Sequence, residues 1–325
     1  EAGEHARARA LYERALRIKE QALGPGHPDV AAALNNLAAL LEATADFDKA
    51  RALHERALRI KEQALGPGHL DVSLSLNNLA ALLMAVGDHA GARPLIERAL
   101  RIQEATLGPA HPRLAASLGN LAGLMRVTGD VAAARALHER ALRILEDAFG
   151  ADHPHAAVGL GNLASLLEAM GQVTEARGLY ERALAIKERW LGPDHLDVAT
   201  ALNNLAVLLR GAGDSATARP LIERALAISE RRLGPEPPDV ALGLNNLAAL
   251  LHASRDLGAA RPLYTRALAI RERVLGPDHP DLALALGGMA FVHASYGRHE
   301  EAAAAGKRAK QLGARLLEPR VRLPE

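Results

Sequence analysis

The chain repeats itself every 42 residues. Leu-Gly-Pro-Gly-His-Pro-Asp-Val begins at Leu23, and near copies begin at Leu65, Leu107, Phe149, Leu191, Leu233 and Leu275, with no insertion or deletion between them. A period of this length confines the chain to repeat architectures, because one unit cannot bury its apolar face alone and must stack on its neighbours. It also overrides a prior from length: 325 residues suggests two domains at about 150 each. No linker, low-complexity tract or shift in composition separates the units. The sequence therefore divides into residues 1–22, the second helix of a truncated repeat; seven units at 23–64, 65–106, 107–148, 149–190, 191–232, 233–274 and 275–316; and a tail at 317–325.

Each unit reads as two helices. In 23–64, Gly24-Pro25-Gly26 breaks the chain and Pro28 stands where a first helical turn tolerates proline. Val30, Leu34, Leu37 and Leu41 then recur at helical spacing. Thr44-Ala45-Asp46 interrupts the pattern, and a second helix carries Ala50, Leu53, Ala57, Leu58 and Ile60 on one side with charge on the other. Glu55 and Arg59, one turn apart, are expected to support that helix. No strand-length stretch alternates with a period of two. The expectation is an all-α chain, a right-handed superhelical solenoid of about seven helix-turn-helix units with a concave wall. In the seventh unit Gly287 and Gly288 replace an asparagine pair, as suits a terminal repeat facing water. Residues 2–22 match only a second helix, so the array is expected to be the sensor or scaffold part of a longer protein. Pro94, Pro220 and Pro262 fall near the starts of second helices and should bend them if they lie past the first turn.

These helices resemble the tetratricopeptide repeat in its 42-residue form, as in kinesin light chains. Leu34-Asn35-Asn36-Leu37-Ala38-Ala39-Leu40-Leu41 is similar to the family's first helix, and Ala50 and Ala57 hold its small-residue positions in the second. The Leu-Gly-Pro-x-His-Pro-Asp-Val linker followed by Asn-Asn-Leu-Ala resembles the kinesin light chain repeats in particular. Leu34 and Leu41 stand where the family usually has aromatic residues, which implies a slimmer core. The resemblance implies an interaction module that holds an extended peptide or protein segment, with an asparagine ladder gripping its main chain.

The residues offer little to catalysis. There is no cysteine, which removes disulfides, thiolate metal sites and cysteine nucleophiles together. His54-Glu55 and His138-Glu139 begin like a zinc-protease helix, but Leu58 and Leu142 occupy the second histidine position. No Gly-x-Ser-x-Gly turn or phosphate loop is present. His27, His69, His111, His153, His195 and His279 share one linker position, too far apart in successive units to share an ion. They are expected to serve as polar residues at the entrance of the first helix; His153 and His155 alone form a local pair, a poor metal site. No enzyme activity, catalytic residue, metal or cofactor is expected.

Asparagine is a mediocre helix former, yet one recurs at the same place in six units. With Leu37 facing the core, Ala32, Asn36, Ala39 and Ala43 form a separate stripe about 100–160° away on the helical wheel. Asn78, Asn120, Asn162, Asn204 and Asn246 continue it, among small residues. Either each amide ties neighbouring repeats together, or the stripe lines the concave wall and its amides bond a peptide backbone. The resemblance supports the second. The paired amides Asn35, Asn77, Asn203 and Asn245 are expected to point further out, with Gly119 and Gly161 opening a shallow patch where they are replaced. One turn on, the row Glu42, Met84, Arg126, Glu168, Arg210 and His252 mixes signs. Arg126 and Arg210 are its fixed positive charges, so recognition led by backbone with modest side-chain choice is expected.

A net charge of +1 and 2% aromatic residues argue against nucleic acid as a partner, the basic residues Lys307, Arg308, Lys310, Arg315, Arg320 and Arg322 near the carboxy terminus notwithstanding. No apolar run is long enough to span a membrane. The expectation is a cytoplasmic chain with a protein or peptide ligand. A rival is end-to-end self-association through residues 2–22, where Leu11, Leu16 and Ile18 would be exposed.

Overall fold

The computed structural model describes residues 2–44, 46–279 and 282–317. Ala45 of the first interhelical turn lies outside them, as do Arg320, Arg322 and the rest of the tail beyond Leu317. Among the described residues there are fifteen α-helices and no strand. After α1 (Ala2–Leu23), the first helices of the hairpins are α2 (Pro28–Ala43), α4 (Leu70–Ala85), α6 (Leu114–Val127), α8 (Pro154–Ala169), α10 (Leu196–Gly211), α12 (Pro238–Ala253) and α14 (Leu282–Ser295). Their partners are α3 (Phe47–Leu65), α5 (His89–Leu107), α7 (Val131–Phe149), α9 (Val173–Leu191), α11 (Ser215–Leu233), α13 (Leu257–Leu275) and α15 (His299–Leu317). The chain forms two compact units, one through Ala148 and one from Phe149. Each is an all-α solenoid segment.

The linkers explain where the helices start and stop. The imidazole Nδ1 of His27, His69, His153 and His195 accepts the backbone N–H two residues on, at 3.1–3.2 Å, and so caps α2, α4, α8 and α10. His111 accepts from the Arg113 amide in the same way. Pro237 takes the position in the sixth unit and supplies no side-chain cap. At the other end, Gly66 ends α3 with φ of 88°, donating its N–H to Glu62 O at 3.0 Å. Only glycine enters that left-handed region without strain. Four second helices are capped by aspartate: Asp88, Asp130, Asp214 and Asp256 accept the amides of Gly91, Ala133, Thr217 and Ala259.

The core follows the expected stripe. Val30, Leu34, Leu37 and Leu41 of α2 are buried with Ala50, Ala57 and Ile60 of α3. Burying each large aliphatic side chain is worth about 1.5–3 kcal/mol. Leu16 of α1 joins this cluster and is buried, contrary to the expectation that it would be exposed with Leu11 and Ile18. α2 lies against its face of α1, while Leu11 and Ile18 face away. Helices α5, α11 and α13 run unbroken through Pro94, Pro220 and Pro262, each the sixth residue of its helix and so past the first turn.

Within each unit the first helices also touch one another, α2 with α4 and α4 with α6, then α10 with α12 and α12 with α14. The second helices are joined by ion pairs 36 residues apart. Arg56, Arg98 and Arg140 reach Glu20, Glu62 and Glu104 in the first unit; Arg224, Arg266 and Arg308 reach Glu188, Glu230 and Glu272 in the second. Most of these arginines also donate to a linker carbonyl, as Arg98 does to Pro67 O at 2.9 Å. Glu55 pairs with Arg51 at 2.9 Å and not with Arg59. Both lie one turn away, and only the side-chain directions distinguish them. No helix among the described residues is long and apolar enough to cross a membrane.

Candidate functional site

The asparagine stripe is built by the first helices, whose opposite faces are locked in the core. In the first unit Ala32, Asn36, Ala39 and Ala43 of α2 are all exposed, as are Leu74, Asn78, Ala81 and Ala85 of α4. Asn120 of α6 is half-buried. In the second unit Val158, Asn162, Ser165 and Ala169 of α8 are exposed, and so are Asn204 and Thr200 of α10. Asn246 departs from the row: it is 9% exposed and belongs to the interior. Each unit thus presents its own run of amides among small side chains, accessible from solvent.

The paired amides do the opposite of what the helical wheel suggests. Asn77, Asn203 and Asn245 are buried and Asn35 is half-buried, so they do not point further out. Asn77 Nδ2 donates to Ser117 Oγ at 2.6 Å and Asn35 Nδ2 to Ser75 Oγ at 3.4 Å, each across the boundary to the next repeat. The physical reason is that a first helix in a stack is covered on two sides, by its own partner and by the following hairpin. A wheel centred on one apolar direction sees only the first. The two rows therefore differ in surroundings: Asn35 and Asn77 bond across a repeat boundary, Asn203 and Asn245 are buried, and Asn36, Asn78, Asn162 and Asn204 face solvent. At Gly161, which replaces an amide of the buried row, an added Cβ would meet nothing within 4 Å.

A buried polar chain extends from Asn77. Ser117 Oγ donates to Gln103 Oε1 at 2.7 Å, Gln103 Nε2 donates to Ser73 Oγ at 3.2 Å, and Ser73 Oγ donates to Leu70 O at 2.7 Å. It links α4, α5 and α6 through groups that would be costly to bury unpaired. In the same layer Lys61 donates to Asp71 O, and burial pushes its ammonium below the usual lysine range.

One turn beyond the stripe, the carboxylates of the mixed row are engaged from behind. Glu42 Oε1 lies 2.8 Å from Nε2 of the buried His54, whose Nδ1 faces Asn35 Oδ1 at 2.8 Å. Glu168 accepts from the Tyr180 hydroxyl at 3.1 Å; burial first, then this carboxylate, pushes the phenol well above its ordinary range. Arg126 and Arg210 differ. Among the described residues neither has an ion-pair partner, and Arg210 Nε is buried without a hydrogen bond. Arg126 is exposed; burial, and secondly this guanidinium, hold His138 below the usual imidazole range. The row's carboxylates are thus engaged by side chains of the second helices, while Arg126 is exposed.

Two features at the far end of the second unit escape sequence reasoning. Phe291, 58% exposed, packs tilted against His252 at 4.2 Å between ring centroids and an interplanar angle of 49°. The signal was readable: Ala39, Ala81, Gly123, Ser165, Val207 and Ala249 are small at that position. The second is Gly288, where the stripe would continue. A Cβ there would clash with the Tyr264 ring, so the tyrosine ring fills the place of the missing amide. Among the described residues no group of three or more histidine or carboxylate side chains is arranged to hold a metal.

Sequence and structure comparisons agree with this architecture. A tetratricopeptide repeat family model matches residues 1–63, 71–147, 115–188, 155–231 and 239–312, and a second matches 203–274. Among curated proteins, no sequence matches the chain. The fold is similar to BtubC (BKLC) from P. vanneervenii, with 25% identity, a TM-score of 0.57, and 75% of this chain and 96% of that one covered. It is similar also to the nearly identical TPR-like repeats of a kinesin-light-chain-type protein from Podosopora anserina, at 28% identity and a TM-score of 0.52 over 63% of this chain and 97% of that one. A Rap protein complexed with Competence and Sporulation Factor shares the fold at 15% identity and a TM-score of 0.66, covering 95% of this chain and 85% of that one.

Proposed function

The chain belongs to the tetratricopeptide repeat family, whose members generally mediate protein–protein interactions, and we propose that it holds an extended peptide or protein segment along the first-helix stripe. The observation that carries this reading is the exposure of Asn36, Asn78, Asn162 and Asn204 while Asn77 and Asn203 beside two of them are buried. An exposed amide offers two donors and an acceptor, which suits the main chain of an extended ligand. The small residues beside each amide leave room for a backbone to approach. Arg126 and Arg210, which have no ion-pair partner among the described residues, add a modest preference for acidic side chains. Such a module needs no cofactor, and among the described residues no nucleophile, base and orienter converge to suggest an enzyme.

The test is peptide display on the whole chain beside a variant carrying Asn78→Ala, Asn162→Ala and Asn204→Ala, with circular dichroism establishing that both fold. A motif enriched on the parent and lost on the variant supports the reading. Enrichment indifferent to the three substitutions moves the site elsewhere and ends it.

A second reading is self-association through α1, favoured by Leu11 and Ile18, which are 58% and 54% exposed. Sedimentation against concentration separates the two, because assembly needs no peptide. A mass that rises with concentration and returns to the monomer with Leu11→Glu supports it.

A further inference from the structure

The aromatic residues of this chain are few, and the one tryptophan sits in a cluster at a single linker. In the second unit the His153 ring stacks on Phe149 at 5.0 Å between centroids and an interplanar angle of 21°. It also meets Trp190 edge-on at 5.1 Å and His155 at 5.0 Å, while Phe149 and His155 lie 4.7 Å apart. Phe149 is 43% and Trp190 55% exposed. Three of the four residues are departures from the repeat. The other units have leucine where Phe149 stands, aspartate in most cases where His155 stands, and no aromatic residue where Trp190 stands. Departures at three separated positions of a 42-residue unit converge on the one histidine that the linkers share. Repeat stacking does not call for them, since the other units stack with smaller residues there.

The charge around the rings selects the partner. In α8 the first turn carries no acidic residue, because His155 replaces the aspartate. The neighbouring carboxylate, Asp152, is matched by Arg189 at 3.5 Å. His153 Nδ1 accepts the His155 N–H, so the proton of the neutral ring resides on Nε2, an N–H donor with no hydrogen-bond partner among the described residues. The surface thus combines exposed Trp and Phe rings, a residue class that dominates interface anchors, with imidazole donors, no acidic residue in the first turn of α8, and Asp152 matched by Arg189. An acidic side chain would find imidazole N–H donors here, where the other linkers mostly present an aspartate.

We propose that Phe149, His153, His155 and Trp190 form a second docking site, for a protein segment that presents an apolar side chain beside a carboxylate. The site lies at the linker end of α8, seven residues and about 10 Å of helix before Asn162. It is independent of the asparagine stripe.

The test uses two fluorescein-labelled peptides on the whole chain: leucine and phenylalanine flanked by aspartate and glutamate, and the same peptide with lysine at each acidic position. Anisotropy reports binding, and the emission of Trp190, the one tryptophan, reports the site. The expected result is saturable binding of the acidic peptide with a change in Trp190 emission. It should weaken about tenfold or more in Phe149→Leu with His155→Asp and in Trp190→Ala, each truncation removing part of the anchor. These variants carry residues that other units hold at the same positions, so they are expected to fold. Asn162→Ala with Asn204→Ala should leave this binding unchanged, which separates it from the stripe. No saturable binding, equal or tighter binding of the lysine peptide, or parent-like affinity in the ring variants would overturn the proposal. So would loss of binding on the asparagine substitutions, or a Trp190-dependent dimer in the absence of peptide, which would assign the rings to a second copy.

Discussion

Asn77 donates from Nδ2 to Ser117 Oγ at 2.6 Å, and this bond joins the first helices of two successive repeats, α4 and α6, in the interior. Its neighbour Asn78 is exposed. One dipeptide therefore serves stability with one residue and offers the other to solvent.

Substituting the two residues in turn should separate those roles. Asn77→Ala removes a buried bond but also an Oδ1 that has no partner, so the net loss should be about 1 kcal/mol. Asn78→Ala should change stability by less than about 0.5 kcal/mol. Urea unfolding of the two variants measures both, and an Asn78 effect as large as that of Asn77 would contradict the division.

Gly288 and Tyr264 should prove coupled. A methyl group at 288 would overlap the tyrosine ring, so Gly288→Ala should destabilise by about 1–3 kcal/mol through overfilling. Tyr264→Ile places there the residue found as Ile96 and Ile222 in other units. In that background Gly288→Ala should become nearly neutral, a coupling that a double-mutant cycle reads directly.

Arg255 is the one non-glycine residue with positive φ among those described, at 65°, where Gly87, Gly129, Gly171, Gly213 and Gly297 occupy the same turn position. A side chain in the left-handed region costs about 1–2 kcal/mol. Arg255→Gly should therefore raise the thermal midpoint, by an amount near the lower end because glycine also gains entropy in the unfolded chain. A lowered midpoint would mean that the arginine contributes more by its contacts than its backbone costs.

Stability should fall as the solution is acidified, in part through His138. Burial, and secondly Arg126, hold its folded-state value below the ordinary 6.5. Above that pH both states are neutral there; below it the unfolded chain takes up the proton first, and stability is lost until the folded-state value is reached. His138→Ile, matching Ile96 and Ile222, should flatten the pH dependence of urea unfolding between about pH 7 and pH 5 relative to the parent. An unchanged slope would rule out this histidine as a contributor.

Much of the architecture was legible without coordinates. The recurrence of Val30, Leu34, Leu37 and Leu41 located the buried face of α2, and the linker histidines stand at the helix entrances where their position suggested. The exposure of Asn36 and Asn78 followed from the same helical geometry. The roles of Asn35, Asn77 and Leu16 did not. Each faces a neighbouring hairpin, and a wheel drawn for one hairpin contains no information about a second covering surface. The choice of Arg51 over Arg59 for Glu55 was equally closed, because both satisfy one-turn spacing.

The sequence by itself determined the period, the two helices of each unit, their boundaries and the side that each turns to its own partner. These are local consequences of hydrophobic spacing, caps and left-handed glycines. The tertiary structure alone decided which amide of each pair is buried, which carboxylates are spent against His54 and Tyr180, and that Phe149, His155 and Trp190 meet around His153. Those outcomes depend on how side chains of different helices and linkers meet when the hairpins pack, which local spacing within one helix does not fix.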